Sequence, residues 1–526
     1  KGDNDNAITA YKKAIKINPN LTDAYVNLGI VLHSKGLFDL SIKFYEEALL
    51  KKGNQAEIYN NLGISWHSKN DPKRAIKHYK KALFLKHDYP EVLNNMGNSY
   101  NLIGDYTAAI ESYKKALYLR PEYADALFNL GNAYKSQGEF ENSIQSYQEA
   151  LLIDPNLIVA WNNLGVVQQK LEKRELAYGS FKNALKINNE YMDALNNIGN
   201  LMVADGQLNE ALKYFEKVIK LDAQNSEAFY NLGVTYQKAK VFNKAKNNYI
   251  RSLELDSNNI EAHNNLGIMD QEKSKFEQAI LHFKKAIEID PNYSYSYYNL
   301  GNVYKKLGCT KDAIKNYETA IKIDPGYEHA RHMLNALMGN FSKTAPLRYI
   351  ENLFDEYSEN FEEALINKLK YNTPKILSTI LKRTLSEENK ISIVDLGCGT
   401  GLTGLELKSV SNVIHGVDIA SGMLKEAKKK NVYDKLYKKN IEEYLTTVPI
   451  NFDLFIATDV FIYVGDLARI FKLIKSRNLK KGQLAFSTEH LETGNYQLEK
   501  SGRFSHSSQY IESLCAKYNY TLNYFS

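Results

Sequence analysis

Apolar and polar positions in the first two thirds of the chain recur every 34 residues. Glycine stands at Gly29, Gly63, Gly97, Gly131, Gly165, Gly199, Gly233, Gly267 and Gly301. A leucine or similar residue precedes each one (Leu28, Leu62, Met96, Leu130, Leu164, Ile198, Leu232, Leu266, Leu300). Twelve positions after the glycine comes a small residue, as at Ala75, Ala109 and Ala177, and four further on an aromatic, as at Tyr79, Tyr113 and Phe181. Proline closes several periods (Pro19, Pro121, Pro155, Pro291, Pro325). This is the pattern of a helical hairpin. Small residues let the two helices approach, aromatics fill the gap to the next repeat, and proline stops the second helix. One hairpin cannot bury its own apolar face, so the hairpins must stack. Residues 1–20 fit only the second helix of a repeat, and 327–338 read as a final helix covering the open end.

The pattern then changes. Residues 340–347 read as a connector after an array spanning 1–339. Tyr349, Leu353, Phe354, Tyr357 and Phe361 recur at helical spacing, and a second helix follows from Thr373-Pro374, so residues 348–385 are expected to be helical. From 390 onward apolar runs alternate with helical stretches. Strands are expected at 391–396, 413–418, before Asn440, at 452–459 and at 483–488, with helices at 421–430, 466–476 and 508–518. Short connections between them predict a doubly wound parallel sheet over 390–526. Residues 522–526 are expected to be the first of two closing strands. The chain starts at Lys1 inside a repeat and stops before the second of those strands, so a fragment at both ends is expected.

Composition excludes several classes. The chain has 526 residues and a formal charge of only +6, with lysines interspersed among acids, so no nucleic-acid footprint is expected. No apolar run is long enough to span a bilayer. Cys309, Cys398 and Cys515 are far apart and in no metal or redox spacing, which points to a reducing, cytoplasmic setting without a metal.

The chemistry gathers at Val394-Asp395-Leu396-Gly397-Cys398-Gly399-Thr400-Gly401. A buried strand ends in an acid and then in glycines at alternate positions, the layout of a nucleotide-type site. A dinucleotide fingerprint needs glycine at 402, where Leu402 stands. Asp395 would repel a pyrophosphate and attract an amine or a sulfonium. S-adenosylmethionine is therefore favoured over a nicotinamide dinucleotide. Cys398 reads as a buried spacer rather than a nucleophile, and His490 and His506 as candidate general bases.

Two resemblances follow from these residues. The 34-residue pattern resembles tetratricopeptide repeats across residues 1–339, which implies an all-α superhelical solenoid of about ten repeats. Two positions before each glycine stands Asn27, Asn61, Asn95, Asn129, Asn163, Asn197, Asn231, Asn265 and Asn299. In such arrays that position faces the concave groove, and the row resembles the asparagine ladder of the O-linked N-acetylglucosamine transferases. A carboxamide can pair with any peptide backbone, so a protein or peptide partner is implied; a ladder that merely bonds neighbouring helices is the other reading.

Residues 348–526 resemble the class I S-adenosylmethionine-dependent methyltransferases, with a Rossmann-like α/β core. The closer likeness is to bacterial methyltransferases fused to tetratricopeptide arrays. It rests on the Leu353–Phe361 segment, on Ala457–Leu467 and on Ser501–Ser507. By that resemblance Asp395, Gly397, Gly399 and Gly401 line the methionine part of the cofactor, with Cys398 and Thr400 in the same loop. Asp418 binds the ribose hydroxyls, Ile419 and Met423 flank the adenine, and Asn440 and Ile441 reach its edge. The aromatics from Tyr349 to Phe361, Tyr357 among them, read either as a lid over the cofactor or as packing of one helix on the next domain. Asp459, Val460 and Tyr463 sit where the methyl acceptor enters, and Asp459, Tyr463 and His490 are the candidate catalytic residues. A methyltransferase served by a recruiting array is thus set against a scaffold whose last domain keeps the fold without catalysis.

Overall fold

The computed structural model describes residues 4–51, 55–340, 343–358, 361–362, 372–383, 385 and 390–524, apart from the side chains of Glu356, Tyr357 and Lys480. The chain divides into two compact units, Lys1–Ser257 and Asn258–Ser526. In the first unit α1 (Asn4–Ile17) precedes the hairpins α2–α3 (Thr22–Ser34, Phe38–Leu50), α4–α5 (Gln55–Ser68, Pro72–Leu85) and α6–α7 (Pro90–Leu102, Tyr106–Leu119). The hairpins α8–α9 (Ala124–Gln137, Phe140–Ile153), α10–α11 (Ile158–Lys170, Arg174–Ile187), α12–α13 (Met192–Ala204, Leu208–Leu221) and α14–α15 (Ser226–Lys238, Phe242–Leu255) follow. Each period is therefore the expected pair of helices.

The glycine of the repeat is explained by its neighbour. A Cβ built on Gly63 would lie 2.3 Å from the Tyr79 ring, and one on Gly165 would lie 2.5 Å from Phe181. The aromatic thus lies on the glycine of its own hairpin, a closer partner than the next repeat. Tyr79 also joins Val92, Leu93 and Met96 in one buried cluster, which includes the following helix. Where serine replaces alanine at the small position, the hydroxyls of Ser41 and Ser143 donate to the carbonyls of Gly29 and Gly131, each at 2.8 Å. A second 34-residue register escapes the hydrophobic pattern. Gly36, Gly104, Gly138 and Gly206 end the first helices with positive φ, and Asn70, Glu172 and Lys240 adopt the same left-handed conformation at equivalent positions.

The asparagine row bonds across repeats. Asn95 Nδ2 donates to Asn60 Oδ1 at 3.3 Å, Asn129 to Asn94 at 3.0 Å, Asn163 to Asn132 at 3.0 Å and Asn197 to Asn162 at 2.9 Å.

The second unit begins with α16–α17 (Ile260–Glu272, Phe276–Ile289), α18–α19 (Ser294–Lys306, Thr310–Ile323) and α20 (Glu328–Met338). Then come α21 (Leu347–Tyr357), α22 (Thr373–Lys382), β1 (Ile391–Leu396), α23 (Leu402–Leu407), β2 (Ser411–Asp418), α24 (Ser421–Lys429) and β3 (Lys435–Lys438). It continues with α25 (Ile441–Thr447), β4 (Phe452–Ala457), α26 (Ala468–Arg477), β5 (Asn478–Phe486), β6 (Glu489–Leu491), β7 (Tyr496–Leu498), β8 (Phe504–Ser507) and α27 (Ser508–Lys517). The main sheet has the order β3-β2-β1-β4-β5, parallel throughout. Val394, Leu396, Phe455 and Phe471 form its core on one face, and Ile393, Ile414, Leu454 and Ile456 on the other.

Three observations correct or extend the sequence reading. The last helices of the array belong to the same unit as the sheet: His332 Nε2 and the Gly502 carbonyl are 2.8 Å apart, and the Tyr349 ring lies 4.8 Å from His332. The connector is stitched down, with Ala345 N donating to Tyr463 O and Gly465 N to Lys343 O. The strand expected at 522–526 is absent from its described part, 522–524. Tyr520 turns its hydroxyl to Asn478 Oδ1 at 3.1 Å and its ring to Phe471, and residues 521–524 beyond it are exposed and have no ladder partner among the described residues. A small second sheet, β6-β8-β7, stands instead between β5 and α27. Among the described residues no helix is long and apolar enough to cross a membrane, and no His, Cys, Asp and Glu cluster could hold a metal.

The glycine contact yields opposite expectations for two alanines one helix apart. Gly165→Ala should destabilise the array by about 1–3 kcal/mol through overpacking on Phe181. Gly179→Ala, whose Cβ meets nothing within 4 Å in α11, should stabilise it by about 0.5–1 kcal/mol through helix propensity. Urea unfolding followed by circular dichroism reads both, and equal effects would refute the packing account.

Candidate functional site

The carboxyl ends of β1, β2 and β4 open onto a cleft of about 1060 Å³. After β1 the chain turns through Gly397 and Gly399 at positive φ. The turn is sewn to β2. Gly397 N and Cys398 N donate to the Val417 carbonyl at 2.7 and 2.9 Å, and Gly399 N donates to Asp418 Oδ2 at 2.9 Å. The other Asp418 oxygen accepts from Ala420 N at 2.9 Å. Glycine at 397 also makes room: a Cβ there would lie 2.2 Å from Val460.

Two carboxylates are buried here. Burial pushes Asp395 up to about 7; the nearby Asp418 adds to this, and the bond from Tyr433 opposes it. Burial pushes Asp418 up to about 6 against the N–H groups of Ala420 and Gly399. Tyr433 Oη donates to Asp395 Oδ2 at 2.7 Å, while Asp395 Oδ1 is buried without a partner among the described residues. Tyr433 fits beneath the loop because Gly404 and Gly416 lack side chains, a Cβ at either falling within 3.0 Å of its ring. Burial likewise raises the Cys398 thiol well above its usual range, which leaves it a spacer.

The opposite wall comes from the end of β4. Asp459 is left-handed, with φ of 55°. Ser487 holds it from both sides, accepting from Asp459 N at 2.7 Å and donating to Oδ1 at 2.6 Å. Tyr463 is buried, with Phe354 of α21 edge-on at 5.4 Å. Burial raises its phenol and the neighbouring Arg503 opposes that rise. Leu347, Ile350 and Phe354 give α21 an apolar face on the cleft.

Gly397, Cys398, Gly399, Thr400, Asp418, Ile419, Asn440, Ile441, Asp459 and Tyr463 all line this one cleft. Asn440 also caps α25, accepting from Glu443 N at 2.9 Å. Asp395, Gly401 and Met423 lie behind the wall. The Tyr357 side chain lies outside the described residues. His490 does not join the site: it is exposed on β6 and lines no part of the cleft. His506 is buried with both ring nitrogens engaged, by Thr488 Oγ1 at 2.5 Å and the Gly465 carbonyl at 3.0 Å. Sequence reasoning missed Tyr433, Ser487 and Arg503; only the glycines at 404 and 416, which leave space for a ring, hinted at the first.

Comparison with known families bears on both units. Models described as TPR repeat match residues 1–36, 97–138, 131–172, 199–240 and 271–308, and those described as tetratricopeptide repeat match 226–259 and 294–327. A model described as methyltransferase domain matches 387–522. The chain joins tetratricopeptide repeats to a methyltransferase domain. A malonyl-[acyl-carrier protein] O-methyltransferase of Priestia megaterium is 35% identical over 124 residues, 23% of this chain and 43% of that protein. The biotin biosynthesis bifunctional protein BioHC of Saccharophagus degradans is 29% identical over 124 residues, 22% of each chain. The tetratricopeptide–methyltransferase chain thus spans less than half the length of either relative. Among solved structures, MamA is 30% identical over 31% of this chain and 95% of its own, with a TM-score of 0.29.

The buried acids predict a pH dependence. Unfolded, both ionise near the ordinary 3.8; folded, they hold their protons to about 7 and 6. In that window the folded state binds more protons, so stability falls as pH rises, by about 1.4 kcal/mol per pH unit for each acid that is protonated when folded and ionised when unfolded. Asp395→Asn keeps the acceptor for Tyr433 and removes the larger shift. Its urea midpoint should change less between pH 5 and 7.5 than that of the parent; parallel changes would exclude Asp395 as the source.

Proposed function

We propose that the chain is an S-adenosylmethionine-dependent methyltransferase whose repeats hold a protein or peptide. The observation that carries this reading is the buried acid pair beside the glycine turn, with one Asp395 oxygen left without a partner among the described residues. A cationic ligand suits that electrostatic need, and a pyrophosphate would worsen it. The chemistry that S-adenosylmethionine supplies when bound is a methyl group made electrophilic by the sulfonium. Asp418, fixed by two backbone N–H groups, is proposed to accept from ribose hydroxyls. Asp395 loses its proton as positive charge arrives. Gly397, Cys398, Gly399 and Thr400 hug the ligand's amino-acid end, while Ile419, Asn440 and Ile441 enclose the base. Leu347, Ile350 and Phe354 exclude water from the other side. Asp459 and Tyr463 orient the acceptor at the far wall, Tyr463 as a neutral phenol. Methyl transfer depends chiefly on alignment in a dry pocket, so no histidine base is required.

For the repeats, Asn95, Asn129, Asn163 and Asn197 turn their nitrogens toward a neighbouring repeat and leave recognition to their carbonyl oxygens. A row of such acceptors matches the N–H groups of an extended peptide.

Calorimetric titration tests the cofactor. S-adenosylmethionine should bind and NAD should not, with affinity rising as pH climbs through 6 to 7. Asp418→Ala should weaken binding by about 1–3 kcal/mol. Absence of heat with S-adenosylmethionine at every pH would sink the reading. For the ladder, Asn129→Ala, Asn163→Ala and Asn197→Ala together should abolish capture from a displayed peptide library with helix content unchanged. Lost helix content would instead assign the row to repeat stacking.

A further inference from the structure

The outward ends of the second helices carry a row that the hairpin core does not need. Leu50, Phe84, Tyr118 and Leu152 occupy the same position in four successive repeats, at the ends of α3, α5, α7 and α9. They are 81%, 78%, 87% and 83% exposed. Equivalent positions later in this unit hold Lys186, Lys220 and Glu254, so the position itself demands no apolar residue. Leu85 and Ile153, one residue further along, are partly exposed beside the row. Ile17 at the end of α1, also one residue further along, extends it at its open end. Single exposed apolar side chains are ordinary on protein surfaces, but four in register form a patch of the kind that marks an interface.

We infer that this row is where a second copy of the chain docks. A two-fold interface brings one patch against itself and needs self-complementarity. The order leucine, aromatic, aromatic, leucine reads the same from either end. An axis between Phe84 and Tyr118 therefore sets leucine against leucine and ring against ring. Lys80 and Lys114, one turn earlier, stand at the rim, where their charge stays in water. The area also suffices. Aromatic side chains contribute roughly 150–250 Å² each. At these exposures the four residues offer on the order of 600–700 Å² per copy, and the pair reaches about 1,300 Å², inside the range of stable interfaces.

Sedimentation velocity of the full chain from about 1 to 100 μM tests this. The parent should pass from monomer to dimer. Phe84→Glu with Tyr118→Glu should stay monomeric, with circular dichroism unchanged because neither residue is part of the hairpin core. Leu176→Glu, exposed on α11 away from the row, should dimerise like the parent. A parent that stays monomeric throughout, a dimer that survives the double substitution, or one equally lost in Leu176→Glu would each overturn the inference. S-adenosylmethionine binding is read separately, so failure here leaves the reading of the cleft standing.

Discussion

A carboxylate at the end of β2 holds the glycine turn at the end of β1, and the cleft depends on that hold. Gly397 and Gly399 are left-handed, a conformation with little intrinsic preference to persist. The bonds from Gly397 and Cys398 to Val417 and from Gly399 to Asp418 fix it. The same arrangement places Asp418 and Asp395 in low dielectric, each satisfied in part by hydrogen bonds and, among the described residues, neither by a counter-charge. A site that is rigid in shape and incomplete in charge suits the cationic ligand proposed above.

The repeats solve a different problem by repetition. A ring on a glycine sets the separation of the two helices in each hairpin, and the tight contact leaves those positions no latitude. Gly63 with Tyr79, and Gly165 with Phe181, are the same contact with a phenol exchanged for a benzene ring. Outward positions have no such demand, and they range from leucine to lysine at one register. Individual character in this array therefore lies on its surface.

The hairpins were legible because one physical requirement recurs with an unvarying period. The sheet was legible because its central strands are apolar runs ending in an acid or a glycine turn. What escaped lacked those signals. β6, β7 and β8 are Glu-His-Leu, Tyr-Gln-Leu and Phe-Ser-His-Ser, too short and polar for any periodicity, so nothing local placed His490 outside the cleft. Tyr433 lies between a helix and a strand, and its bond to Asp395 spans 38 residues. The left-handed turn at Asp459 is held by Ser487, which follows the next strand, so no local pattern announces it.

The stitched connector has a consequence for how this protein can be divided. Lys343 and Thr344 line the cleft, and the Ala345 amide is held by Tyr463. His332, still within the array, meets Gly502, the residue before Arg503. A fragment cut where the repeats end would keep Lys343 and Thr344 but lose the support that α20 gives behind the cleft, where His332 meets Gly502 and Ala336 packs in one cluster with Ile462 and Tyr463. One that begins at Asn258 retains it. The natural module is thus larger than the fold its sheet defines, and the last helix of the array serves as a brace behind the chamber as much as a rung of the repeat.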